Sequence, residues 1–320
     1  VLAATDRGLL QRESLTEPWR APAGAPDAYA YVVTPWGDGY AAGFEDQGVW
    51  HAPTGGEAWR LLGLPGLTVL DLTTTADDTL VAATDHGVYL YRDRSWTRLP
   101  DLPPGGESDD PAADRFMTRL ALGENDVLVV RNQDRLWRRA GAGWQPFGPD
   151  TLRDEIYSVI NCCGDDTLIG TDQQGLWGLN DAGSWVRVDD GFFNRRKITG
   201  GVVLPGRTLI AAENGLFVSS DLSGWRAVSG LTPTVTDLLI DPQDAARWLA
   251  GTPAGVYHSE DGGESWTLIT PPWDVWDMAF SSNGRLFVAR GNGLVWTDDV
   301  GASSVTWTQS DGMEGVTFFH

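Results

Sequence analysis

Three groups of side chains in this 320-residue sequence have types and spacing that could do chemistry. Asp6, Asp46 and Asp85 each stand two residues before an equivalent position in stretches of similar sequence. Carboxylates converging from such turns could hold a hard cation through oxygen ligands, with calcium the ion they would suit. Short Asp-Gly turns also use these residues for backbone geometry alone, and no EF-hand spacing is present. The second group is Phe192-Phe193-Asn194-Arg195-Arg196-Lys197, which ends in the only run of three basic residues. Arginine beside aromatic rings is the composition of interface hot spots. The competing expectation is that both phenylalanines pack under the loop and the charges are merely solvated. The third group is an acidic Pro/Gly stretch over 100–111 that carries Glu107, Asp109 and Asp110. Extra length without fold-making hydrophobics is where binding loops arise, although it is also where decoration is tolerated. Trp273 and Trp276 add two aromatics that could line a contact surface.

Other chemistry has less to stand on. His51, His86, His258 and His320 include no i, i+4 pair of the kind a zinc helix uses, and His51 and His258 fall at one repeat position. Cys162 and Cys163 are adjacent, so a bridge between them would be strained and two reduced thiols are expected. Glycoside hydrolysis needs two carboxyl groups about 5–9.5 Å apart, one with a raised pKa. With 44 acidic residues such pairs arise by coincidence, and no catalytic residue is assigned.

The elements that must position these groups are read from a repeat. A glycine followed by two apolar residues recurs at Gly8, Gly48, Gly87, Gly175, Gly215, Gly255 and Gly293, with Arg135 filling the remaining slot. The steps are 40, 39, 48, 40, 40, 40 and 38 residues. A tryptophan follows each: Trp19, Trp59, Trp96, Trp144, Trp185, Trp225, Trp266 and Trp307. Around Gly87 four strand-like runs read Val69–Leu72, Leu80–Ala83, Val88–Tyr91 and Trp96–Leu99. Four short strands per unit of about 40 residues predict an all-β propeller of eight blades with four antiparallel strands each. Val1 to Ala4 aligns with a second strand, and Val316 to Phe319 supplies the missing first one. The expectation is therefore one domain over 1–320, its first blade made from 316–320 plus 1–20 as a clasp, with a seven-bladed ring as the alternative. Strand alternation puts the turns after second strands and the inter-blade connections on one face. That face would carry the 100–111 stretch, the 192–197 run, and Trp273 and Trp276.

The stretch Ser259-Glu260-Asp261-Gly262-Gly263-Glu264-Ser265-Trp266 resembles an Asp-box, or BNR repeat, of form Ser-x-Asp-x-Gly-x-x-Trp. Ser220-Asp221 to Trp225 is one residue short of it, and the copy at 52–59 has lost the Ser and Asp. The resemblance implies a propeller fold more than an activity. Families with this repeat include sialidases, xyloglucan-cleaving glycosidases, sorting receptors and photosystem assembly factors. It also implies that Ser259, Asp261, Gly263 and Trp266 are structural, in a turn opposite the functional face. No Arg-Ile-Pro motif of the sialidases is present.

Charge narrows the partners. The chain has 23 basic and 44 acidic residues, for a net charge of −21 and a pI near 4.4. That argues against a phosphate-backbone footprint and against docking on anionic membranes. No apolar run approaches the roughly 18 residues of a membrane span, and no targeting segment is recognisable. The first residue is Val, which suggests a chain processed or cut from a longer protein. No cofactor is expected, other than the calcium ion considered above. The reading is a soluble, non-enzymatic scaffold that binds a protein or peptide, including other domains of its own chain. The alternative is a glycoside hydrolase or carbohydrate-binding propeller.

Overall fold

The run Leu209-Ile210-Ala211-Ala212 sorts by parity into two different cores. Leu209 and Ala211 pack with Trp248, Ala250 and Trp266 of the following sheet. Ile210 and Ala212 pack with Ile160, Leu168 and Leu176 of the preceding one. Successive strand residues point to opposite sides, so a sheet covered on both faces must be apolar at every position. The same holds for Leu80–Thr84, buried throughout, whose Leu80 and Ala82 face one cluster while Val81 and Ala83 face another.

In the computed structural model, the described residues are 1–14, 17–54, 58–100, 119–122, 128–132, 135–140, 143–152, 154–160, 167–281, 284–291, 293–301, 305–310, 313 and 316. They fall into two compact units, one built mainly from Val1–Glu155 and the other from Ile156–Asn161 with Asp165–Val316. The first unit holds a two-stranded sheet, Leu2–Thr5 with Gly8–Gln11, and three four-stranded antiparallel sheets spanning 30–63, 69–98 and 119–147. The second holds four such sheets, spanning 156–187, 198–227, 237–268 and 275–309. Within every four-stranded sheet, strands pair in chain order.

The expected eight four-stranded blades are therefore corrected. The described residues form seven four-stranded sheets and one two-stranded sheet, and this matches neither eight full blades nor a seven-bladed ring. The first sheet stops short for local reasons. Its fourth strand reduces to the single bridge Gln11↔Arg20, after a stretch in which Pro18 has no N–H to donate. Val316 is buried but lies in no strand, and 317–320 lie outside the described residues, so the clasp is not formed among them.

The repeat glycines have a clear physical basis. All seven take positive φ, from 74° at Gly48 to 130° at Gly215. At Gly255 a Cβ would stand 2.4 Å from the Thr270 hydroxyl and 2.9 Å from the Pro271 carbonyl. Just before the glycine, the buried Thr5, Thr84, Thr171 and Thr252 each donate Oγ1 to the glycine carbonyl at 2.7–2.9 Å. In the second unit, hydroxyls at or just before the first strand of one sheet reach the start of the next: Ser158 to the Ile198 carbonyl, Thr199 to Val235 and Thr236 to Val275.

Candidate functional site

Backbone hydrogen bonds in the second unit bring the connections and the turns after second strands to one end of the sheets. Arg195 N–H donates to the Gln173 carbonyl, Glu213 N–H to Lys197, and Gly291 N–H to Asp274. The 192–197 run, the turn over 172–175 and the Trp276 strand thus share one edge, as strand alternation requires.

The loop leading into that run is built on Asp189. Its side chain is wholly buried and is gripped by Arg187 through Nε at 3.1 Å and Nη2 at 2.7 Å. It also accepts the Phe193 N–H at 2.9 Å. Arg187 reaches on through Nη1 to Asn194 Oδ1 at 2.7 Å. A buried charge is tolerable only when paired and bonded in this way. The consequence is a fixed loop in which Arg195 adopts positive φ (58°) and stands exposed.

Phe193, expected among the binding residues, is corrected to a packing residue. It is fully buried and meets Phe192, Phe217 and Trp225 ring edge to ring face. Phe192 is half-buried, and the Arg196 guanidinium lies 5.0 Å from its centroid and 5.1 Å from that of Phe217. Lys197 donates to the Tyr157 hydroxyl at 2.8 Å, lies over that ring at 4.0 Å, and pairs with Asp172 at 3.7 Å. The Tyr157 hydrogen bond pushes the Lys197 pKa up, so it stays protonated.

Tyr157 reaches solvent because its strand is bulged, with a register shift between Ile156 and Ser158. Trp276 stands at the equivalent bulge between Val275 and Asp277. These two aromatics are 36% and 38% exposed. A bulge re-aims one side chain out of the ladder. Trp276 Nε1 donates to Asp274 at 3.2 Å. Trp273 packs edge-on against Trp307 and carries the Arg290 guanidinium 4.9 Å above its ring.

Charge pairing is incomplete at this end of the unit. Between 156 and 316 there are nine basic residues. Six meet a carboxylate: Arg187, Lys197, Arg207, Arg226, Arg247 and Arg285. Among the described residues the other three, Arg195, Arg196 and Arg290, form no ion pair. All three lie at the turn-and-connection end. Arg290 was not among the sequence candidates, because its meaning depends on the turn rule. It occupies the place where Thr5, Thr84 and Thr252 close their turns.

In the first unit, Asp46 and Asp85 meet through Thr68. Thr68 Oγ1 donates to Asp46 at 3.0 Å, and its N–H donates to Asp85 at 3.1 Å. Asp85 also lies 3.1 Å from His86 Nδ1. Asp6 occupies the matching turn of the two-stranded sheet. No group of three or more His, Cys, Asp or Glu among the described residues is placed to hold a metal ion. Glu107, Asp109 and Asp110, like Cys162 and Cys163, lie outside the described residues.

Ser259, Asp261, Gly263 and Trp266 lie at the far end of their sheet, in the turn between third and fourth strands. Asp261 accepts the N–H groups of Glu264 and Ser265 and the hydroxyls of Ser259 and Ser265. The Ser265 hydroxyl bond, followed by the backbone donors, holds its carboxyl well below the usual range. The Trp266 indole closes onto the Gly263 carbonyl at 3.0 Å. Asp221 does the same one residue shorter, accepting from Ser219, Ser223 and Gly224.

No protein-family model matches the chain, and no curated protein matches it. Solved structures do. A computationally designed protein, Ika8, superposes with a TM-score of 0.63 at 14% identity, covering 93% of this chain and 98% of its own. The Dos1 propeller gives 0.59 at 11% identity, over 89% and 84%. The fold is that of a β-propeller. YCF48 bound to a D1 peptide gives 0.54 at 14% identity, over 95% and 97%. At such identities the likeness speaks to fold alone. No helix among the described residues is long and apolar enough to cross a membrane.

Proposed function

We propose that this chain is a non-enzymatic propeller of the Asp-box kind that binds a protein or peptide. Its contact surface is the turn-and-connection end of the 156–316 unit, and the contacting segment of the partner is acidic. One observation carries the reading: in a chain of net charge −21, the three arginines of this unit that have no carboxylate partner among the described residues gather at one end. Unpaired guanidiniums beside exposed aromatics favour a carboxylate-bearing polypeptide. The peptide seen on YCF48 gives a precedent on a similar fold.

The test is a peptide array probed with the wild-type chain and with the double variant Arg195→Glu, Arg196→Glu. The wild type should retain acidic peptides and the variant should lose them, with thermal stability nearly unchanged. Equal retention by both proteins would refute this use of the surface.

A further inference from the structure

Four sheets close the turn after the second strand with a threonine hydroxyl and the others do not; among those others, the last sheet alone has an arginine at that position. Where Thr5, Thr84 and Thr252 bury a hydroxyl against the turn glycine, this sheet has Arg290, followed by Gly291 and Gly293. The turn-closing hydrogen bond has been exchanged for a guanidinium. That guanidinium is held in one orientation: Nη2 donates to Gln309 Oε1 at 2.7 Å, and the plane lies over Trp273, itself braced by Trp307. Nε is enclosed without a partner. Nη1 is bonded to no protein group among the described residues and is not enclosed.

We propose that Arg290, presented on Trp273 and flanked by Trp276, is a carboxylate-recognition site for an acidic side chain or C-terminus of a bound polypeptide. This rests on the reading above that the turn-and-connection end of the unit takes an acidic chain. The class of ligand follows from charge and space. The guanidinium carries one positive charge and has one nitrogen left to donate, which suits a single carboxylate. A Cβ on Gly291 would stand only 3.6 Å from Trp276 Cζ2, so this glycine leaves the ring edge open to the apolar stem of an incoming Asp or Glu. Burial alone pushes the Arg290 pKa down, and a bound carboxylate would offset that penalty.

The experiment follows the indole N–H resonances of Trp273 and Trp276 in ¹⁵N-Trp-labelled protein during titration at constant ionic strength. One arm uses acetate and the other a hexaglutamate peptide, each with chloride or a hexaglutamine peptide as its control. Both indoles should shift with acetate and with the acidic peptide, the peptide acting at a concentration at least about tenfold lower. Arg290→Gln should abolish the shifts, and Arg290→Lys should keep them at reduced affinity. Unmoved indoles in the wild type, or equal shifts in Arg290→Gln, would overturn the site. Should Arg290→Gln melt early, the wild-type acetate arm and Arg290→Lys still decide. If the peptide binds while both indoles stay silent, the Arg290 site fails and the wider surface stands. If acetate moves the indoles but no acidic peptide binds, the wider reading fails and the anion site stands.

Discussion

At the scale of single residues, the third strand of the 237–268 sheet carries an unusual side chain. His258 is 9% exposed, and its Nε2 is enclosed with no hydrogen-bond partner. Desolvation pushes its pKa down; Glu260 opposes that and Arg247 adds to it. The direction of the stability effect follows from linkage. Above pH 6.5 the imidazole is neutral in both folded and unfolded chains and contributes no slope. As pH falls from 6.5 toward the lowered folded value, the unfolded chain takes up the proton first, so stability drops. Leu90 holds the equivalent place in the 69–98 sheet, which makes His258→Leu a reasonable fit. We expect the wild type to lose thermal stability between about pH 6.5 and 5, with His258→Leu flat over the same interval in melting curves. A wild-type slope retained in the variant would move the effect elsewhere. Asp261 titrates in a separate window, because a lowered carboxylate contributes stability that is lost only in stronger acid.

At the scale of elements, the turn after the second strand sets the spacing of everything that follows. Gly255→Ala should cost more than about 2 kcal/mol, because φ of 129° suits no side chain and the new Cβ meets backbone. Gly206→Ala, at φ 77° with open space around it, should cost only about 1 kcal/mol. Chemical denaturation of the pair would check this, and equal losses would mean that strain, not the clash, dominates at Gly255. This turn was the most legible feature of the sequence, because one backbone conformation favours glycine and seven of the eight repeats have it. Strand positions were legible for a related reason, since a sheet packed on both sides leaves uninterrupted apolar runs such as Leu209 to Ala212. What escaped the sequence depends on partners across sheets. Asp46 and Asp85 gave no sign that Thr68 would join them, and Phe193 looked as available as Phe192. Arg290 became meaningful only once the threonine role at its position was known. Five of the eight repeat tryptophans split into two habits. Trp96, Trp144 and Trp307 donate their indole N–H to the carbonyls of Leu62, Pro100 and Ile269, in or just after the fourth strand of the preceding sheet, whereas Trp225 and Trp266 close onto their own turns.

At the scale of the whole molecule, the number of sheets was the part the sequence could not give. Counting glycines predicts eight equal sheets, but whether a terminal sheet gains all its strands depends on pairings no repeat position encodes. Charge is also distributed unevenly over a chain of net −21. The turns of the first unit present Asp46 and Asp85, whereas this end of the second unit has, beside Asp172 and Glu213, the arginines Arg195, Arg196 and Arg290, which form no ion pair among the described residues. Binding of an acidic peptide to exposed arginines should therefore weaken about tenfold or more between roughly 0.05 and 0.5 M salt, as isothermal titration would measure. A salt-independent affinity would point to apolar contact as the main attraction. In three of the four sheets of the second unit the outermost strand is only two residues long, at Arg226–Ala227, Thr267–Leu268 and Thr308–Gln309. With so little ladder at the periphery, the first two of these hairpins are closed by aspartate and serine side chains at Asp221 and Asp261. Lengthening such a hairpin would disturb few bonds, and so the margin is where descendants of this sequence can acquire new segments while the arginine-bearing end stays as it is.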